Sequence, residues 1–281
     1  MKGVRAVPEP AANNEAVVRR LIEVWSSAAE ACQGMSETQW DLPTDCPGWS
    51  VKDQLAHLVS VERMLLGDKS PALLDEKPEH VLNVIGEINE AWIEHYRQAT
   101  GSDVLAEFVN TTNRRIDALR SFPPERFDEV GPSPEGEVPY RRFMDTRVLD
   151  CWAHEQDIRR AVGRPGGRNG AGESVALDRC AAAMPYVVGK KVGAPDGTCV
   201  LFIVVGLLGR HIPVVVSGGR AGVVDATPAD VTVTLTMAQD HFWRLCFGRM
   251  DYVKILATGE ATVTGDTSLG HRVLGDMSFM V

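Results

Sequence analysis

No stretch of this 281-residue chain is apolar for long enough to cross a bilayer. The longest apolar run, Cys199 to Leu208, is broken by Gly206 and is roughly half of the about 20 residues a membrane helix needs. Clustered positive charge is also missing. Twenty-nine Lys and Arg stand against 38 Asp and Glu, a formal charge of -9, which argues against nucleic acid or an anionic membrane as the main partner. The first residues, M-K-G-V-R-A-V-P-E-P, hold no apolar signal core, so a cytoplasmic location is expected. Six cysteines, Cys32, Cys46, Cys151, Cys180, Cys199 and Cys246, make no C-x-x-C pair. Neither a disulfide framework nor a thiolate zinc site is indicated, and most should be small buried hydrophobes. What is present, 44% hydrophobic residues over this length, is enough for a core without covalent staples. A small molecule is the default partner.

Two halves differ in character. Up to residue 165 the chain reads as helices, starting with Glu15 to Cys32, where Val17, Val18, Leu21, Ile22, Trp25 and Ala28 follow helical spacing. The loop T-D-C-P-G-W ends at Ser50, which with Asp53 forms a capping box for a second helix carrying Leu55, His57 and Leu58. A third helical region begins after Pro78 and runs through Val81, Ile85, Trp92 and Tyr96, with more helix between Asp103 and Leu119. The last helix of this half starts near Tyr140 and ends at Gly163, followed by Pro165. The segment G-G-R-N-G-A-G is expected to be a flexible linker between domains 1–165 and 173–281. Beyond it, a helix from Ser174 to Lys190 precedes the β-branched runs C-V-L-F-I-V-V, H-I-P-V-V-V-S and D-V-T-V-T-L-T. A helix from Ala238 to Phe247, a strand through A-T-V-T-G and a short terminal helix complete an α+β domain.

Chemistry concentrates in R-V-L-D-C-W-A-H-E-Q-D-I-R-R. Asp150 and His154 are four apart, so a carboxylate and an imidazole project from one helical face, a spacing that can hold one metal ion. His57, mid-helix between apolar neighbours, supplies a third ligand if the two helices face each other. Taken alone, the same Asp and His also read as a hydrogen-bonded or solvated pair. The zincin motif is excluded, because Ile158 stands where its second histidine belongs. Cys151, three before His154, reads as buried packing rather than a nucleophile, since one helix offers no oxyanion hole.

The stretch W-D-L-P-T-D-C-P-G-W-S-V-K-D-Q-L-A-H-L (Trp40 to Leu58), together with D-C-W-A-H-E-Q-D-I-R-R-A-V-G-R-P, resembles the mycothiol-dependent maleylpyruvate isomerase family of DinB-like metalloenzymes. That resemblance implies a DinB-like four-helix bundle followed by a sterol-carrier-like α+β domain. It implies a divalent metal, zinc in many members, on His57, Asp150 and His154, and mycothiol as a second cofactor. Aspartate at 150 departs from the family's glutamate and, one methylene shorter, must sit closer or bind through water. The reaction implied is addition of a metal-activated thiol to a small electrophile, as isomerase or S-transferase. A non-haem-iron-type metalloenzyme and a non-catalytic ligand-binding protein with a degenerate site are the alternatives.

Four further residues join this set. Asp157 either orients a ligand imidazole or binds cofactor polar groups, or else simply faces Arg160 or Arg164. Trp49 and Trp152 wall a cofactor pocket or pack in the core. H-F-W-R-L-C-F-G-R resembles the family's short helix ending in Gly-Arg, which implies that Arg249 pairs a substrate carboxylate.

Overall fold

In the computed structural model the chain divides into two compact units, Met1–Glu173 and Ser174–Val281, and residues 10–279 are described. The first unit contains α1 (Pro10–Cys32), the short α2 (Glu37–Trp40), α3 (Val51–Leu65), α4 (Val84–Arg97), α5 (Gly101–Ser121) and α6 (Tyr140–Ala161). Helices α1 and α3 each pack against both α5 and α6, so these four close a bundle, and α4 lies outside it against α3. Apolar stripes meet inside: Leu21 and Trp25 of α1, Leu55 and Leu58 of α3, Phe108 of α5, and Val148 and Trp152 of α6 are all buried. The expected capping box is formed. The Ser50 hydroxyl accepts from the Asp53 amide at 3.3 Å, and Asp53 Oδ2 accepts from the Ser50 amide at 2.9 Å, satisfying two donors that a helix start leaves open.

The helix expected after Pro78 begins only at Val84. The Val81 amide closes a turn onto the Pro78 carbonyl, and the Asn83 side chain caps the helix by accepting from Gly86 at 2.9 Å. Periodicity runs through this stretch because Val81 is buried from a turn, not from a helix face. Between α5 and α6 lies a hairpin that the sequence reading did not anticipate, β1 (Val130–Ser133) and β2 (Gly136–Pro139).

The glycine-rich segment is not a free linker. Trp152 Nε1 donates to the Gly167 carbonyl at 2.7 Å, Gln156 Nε2 to the Gly166 carbonyl at 3.1 Å, and Arg168 pairs with Glu173 at 2.6 Å. Gly167 has φ +62, and a side chain there would run into Glu155. Absent side chains let this backbone lie against α6 and satisfy the buried donors of that helix.

The unit boundary falls in the first turn of α7 (Ala171–Tyr186), whose end widens into a π turn at Val187–Lys191. Pro185 lies inside that helix and has no amide for the normal ladder. The second unit is a five-stranded sheet built from β3 (Cys199–Val205), β4 (Arg210–Ser217), β5 (Arg220–Val223), β6 (Val233–Ala238) and β7 (Ala261–Gly265). Their order is β5-β4-β3-β6-β7. Strands β3 and β6 run parallel, with Phe202 beside Leu235, and the other pairs are antiparallel. Helix α8 (Gln239–Cys246) packs on β3 and β6, and α10 (Thr267–Gly275) on β6 and β7. Strand β5 and helix α9 (Tyr252–Ala257) are additions to the expected elements.

Candidate metal centre

Helix α3 brings His57 and helix α6 brings Asp150 and His154 to one point inside the bundle, with one possible ligand atom from each lying within 4.8 Å of the others. His57 Nε2 is 3.3 Å from Asp150 Oδ2, and His154 Nε2 is 3.5 Å from Asp150 Oδ1. The shorter carboxylate therefore lies close to both imidazoles. The side chains of His57 and His154 are 6% and 9% exposed and that of Asp150 is 19%, so solvent reaches the cluster at the carboxylate.

The sequence reading missed the groups that hold this carboxylate. Arg147 donates to Asp150 Oδ2 and, at 2.9 Å, to Glu62, which also accepts from Arg115 at 2.9 Å. Glu62, Arg115 and Arg147 are all buried, so an ionic network ties α3, α5 and α6 together behind the site. Burial pushes the Asp150 carboxyl up, but Arg147 and the two imidazoles outweigh it and hold the group well below the usual carboxylate range. Asp150 is thus an anion at neutral pH. The available signal was spacing, since Arg147 precedes Asp150 by three and shares its helix face.

Trp49 covers the imidazoles, its ring 5.1 Å from that of His57 and 5.7 Å from that of His154. Its indole donates at 3.1 Å to Glu90, a buried carboxylate that also meets His80 at 3.2 Å and Arg97 at 3.0 Å. Gly48, just before it, has φ +79, and a Cβ there would come within 2.6 Å of His80, so glycine is required in this loop. Trp152 plays no such part: it is buried against the glycine-rich segment.

Asp157 is fully buried, with Oδ2 3.9 Å from His154 Nδ1. Gln54 Oε1 lies within hydrogen-bond reach of that nitrogen, on a residue the sequence reading passed over although it precedes His57 by one helical turn. Arg249 belongs to the second unit, where its Nη1 donates to the Phe247 carbonyl at 3.1 Å and its own carbonyl accepts from Arg244. The whole triad comes from the first unit. Cys151 is buried, and burial pushes its thiol far up, which agrees with a packing role.

Two imidazole nitrogens and a carboxylate oxygen are a donor set suited to a divalent transition metal with open positions, and the buried guanidinium keeps that oxygen deprotonated. The residues therefore fit a metal ion. Residues 5–159 match the family model described as the mycothiol maleylpyruvate isomerase N-terminal domain, more than half of the chain. The chain belongs to this family. Residues 190–276 match the SCP-2 sterol transfer family, which gives the α+β unit its class. The whole architecture is similar to a crystal structure titled as the mycothiol-dependent maleylpyruvate isomerase. The identity is 15% and the TM-score 0.57, covering 94% of this chain and 96% of that one. A histidine-to-alanine mutant of the same isomerase matches at 14% identity and a TM-score of 0.56, with the same coverage. The fold is therefore a DinB-like helical bundle followed by a sterol-carrier-like domain. No curated protein matches the sequence. Among the described residues no helix is long and apolar enough to cross a membrane.

Proposed function

We propose that this protein is a mycothiol-dependent metalloenzyme that adds a thiol to a small electrophile, as an isomerase or S-transferase. The observation that carries the reading is the convergence of His57, Asp150 and His154 within 4.8 Å beside a guanidinium that keeps the carboxylate ionised. Family membership supports it.

A divalent cation, with zinc the proposed occupant, would supply Lewis acidity there, lowering the pKa of a thiol from about 8.5 so that it is thiolate at neutral pH. His57 and His154 offer neutral nitrogen donors, and Asp150 offers the single anionic oxygen. Counting only the cation and Asp150, the sequence gives a site charge of about +1. The fold adds Glu62, Arg115 and Arg147, one negative against two positive groups, which raises the balance to about +2. Such a site favours an anionic thiolate and still favours an electrophile that carries a carboxylate. Trp49 shields the imidazoles, and Asp157, fully buried with Oδ2 3.9 Å from His154 Nδ1, is proposed to help orient that imidazole rather than to touch the cofactor. No side chain of the cluster is an activated nucleophile, so the attacking sulfur would come from the small thiol.

Elemental mass spectrometry on untagged protein, followed by turnover with and without mycothiol, tests the reading. Near-stoichiometric divalent metal and thiol-dependent turnover are expected. Metal-free protein that takes up no added zinc, nickel or iron would overturn it.

A further inference from the structure

Helix α4 is not needed to close the bundle, since α1, α3, α5 and α6 do that, yet it buries a carboxylate. Glu90 is 1% exposed, and a carboxylate is costly to take out of water unless charge and hydrogen bonds compensate it. Its two oxygens divide the work. Oε1 accepts at 3.0 Å from Arg97, a residue of the same helix whose Nε also lies 3.7 Å from Asp53, in the capping box of the helix that carries His57. Oε2 serves the loops, accepting from Trp49 Nε1 at 3.1 Å and lying 3.2 Å from His80 Nε2.

Trp49 needs such an anchor. Asp45, Pro47 and Gly48 beside it are exposed and Trp49 itself is half-buried, so packing confines it on some sides only. The Thr44 hydroxyl donates to the Trp49 carbonyl at 2.9 Å, and the Trp49 amide to the Cys46 carbonyl at 3.2 Å. These bonds fix the main chain and leave the indole its two side-chain torsions. The ring nevertheless lies against both His57 and His154. Nor does burial by itself supply an acceptor for an indole here, because Trp40 and Trp92 keep their N–H groups buried without one. Gly48, with no Cβ, lets the His80 ring come up against the loop and reach the same carboxylate.

We infer that Glu90 is a positioning residue for the metal centre: through the indole N–H it holds the Trp49 ring across the two imidazoles, with Arg97 and His80 keeping the carboxylate in place. The inference rests on the metal-site reading above, but the hold on Trp49 can be read without any metal. A ring in that place keeps water from the imidazole faces and limits their rotation, which lowers the cost of bringing both to one ion. Helix α4, outside the bundle, thus acts on a site to which it contributes no ligand.

The test has two arms on the full chain. In metal-free protein, the ¹H–¹⁵N signal of the Trp49 indole is picked out of six by its loss in Trp49→Phe. Glu90→Leu should speed its exchange with water about 10-fold, the effect of losing one charge-assisted hydrogen bond. Glu90→Gln, which keeps an oxygen to accept the same proton, should hold exchange within a few-fold of the parent. In the second arm, zinc and cobalt affinities are measured by chelator competition. Trp49→Phe and Glu90→Leu should each weaken binding about 10-fold, as loss of outer-shell support does, and the double variant should be no weaker than either alone. A Glu90→Leu loss that persists in full in the Trp49→Phe background would show a general defect of α4 packing and overturn the inference. So would an indole signal that Glu90→Leu leaves unchanged, or a Trp49→Phe protein that binds as tightly as the parent. A parent that takes up neither metal but whose Trp49 signal depends on Glu90 would overturn the metal-site reading and leave the hold of Glu90 on Trp49 standing.

Discussion

The two units of this chain solve the problem of a core in opposite ways. In the first, Glu62, Arg115, Arg147, Glu155, Asp157, Arg159, His57 and His154 are buried among the helices. In the second, the buried polar side chains among the described residues are Thr198 and Gln239, and the interior is Phe202, Leu235, Phe242, Trp243 and their apolar neighbours. Burying charge is expensive, and a well-packed apolar interior of similar volume is often as stable or more so. A bundle that keeps an ionic network where Leu and Phe would serve is spending stability on something other than folding. Here that something is the ionisation and placement of Asp150. The sheet unit carries no such burden, and its core is packing alone.

The comparison breaks most visibly at the triad itself. His154→Ala should abolish metal uptake, a larger effect than any outer-shell change, while circular dichroism stays that of a folded protein. Elemental analysis beside the parent decides it. Next comes the network. Glu62→Ala leaves two buried guanidinium groups without their shared carboxylate and should cost about 3 to 5 kcal/mol in urea unfolding. If it costs less than 1 kcal/mol, the charges are not buried as described. Leu235→Ala in the sheet unit should cost about 2 to 5 kcal/mol by opening a cavity. That loss should be insensitive to salt and should leave metal content unchanged, whereas charge variants of the first unit should alter both.

Smaller effects sharpen the picture. Ser50→Ala removes the cap from the helix that carries His57 and should lower stability by about 1 kcal/mol, with a lowered Tm as the readout. The cysteines offer the mildest probe. Five of the six are buried, and Cys46 is half-exposed. One thiol should react rapidly with an aromatic disulfide reagent at pH 8, and six after denaturation. Burial pushes the Cys32 thiol from 9.0 up to about 12. Because the unfolded thiol ionises first, the stability from keeping it protonated is complete below pH 9 and is lost as pH rises from 9 toward 12. A Cys32→Ala variant should show a shallower alkaline loss.

Much of this molecule was legible along the chain. Apolar spacing located α1, α3 and α6, the Ser50 and Asp53 pair marked a helix start, and β-branched runs marked β3, β4, β6 and β7, because each of these signals acts over a few residues. Asp150 and His154 share a face by helical geometry alone. The hairpin β1–β2, the strand β5 and the short α9 escaped, since segments of four to six residues carry too little periodicity to read. Tertiary structure decided everything that joins distant positions. It set α5 rather than α4 into the bundle, and it folded the glycine-rich segment onto α6. It brought Glu62, Arg115 and Arg147 into one network across three helices, and it turned the Gln54 amide toward His154. The physical reason is common to all four. A side chain's local pattern says which face it lies on, but its charge state and hydrogen-bond direction depend on partners that only the packed helices supply.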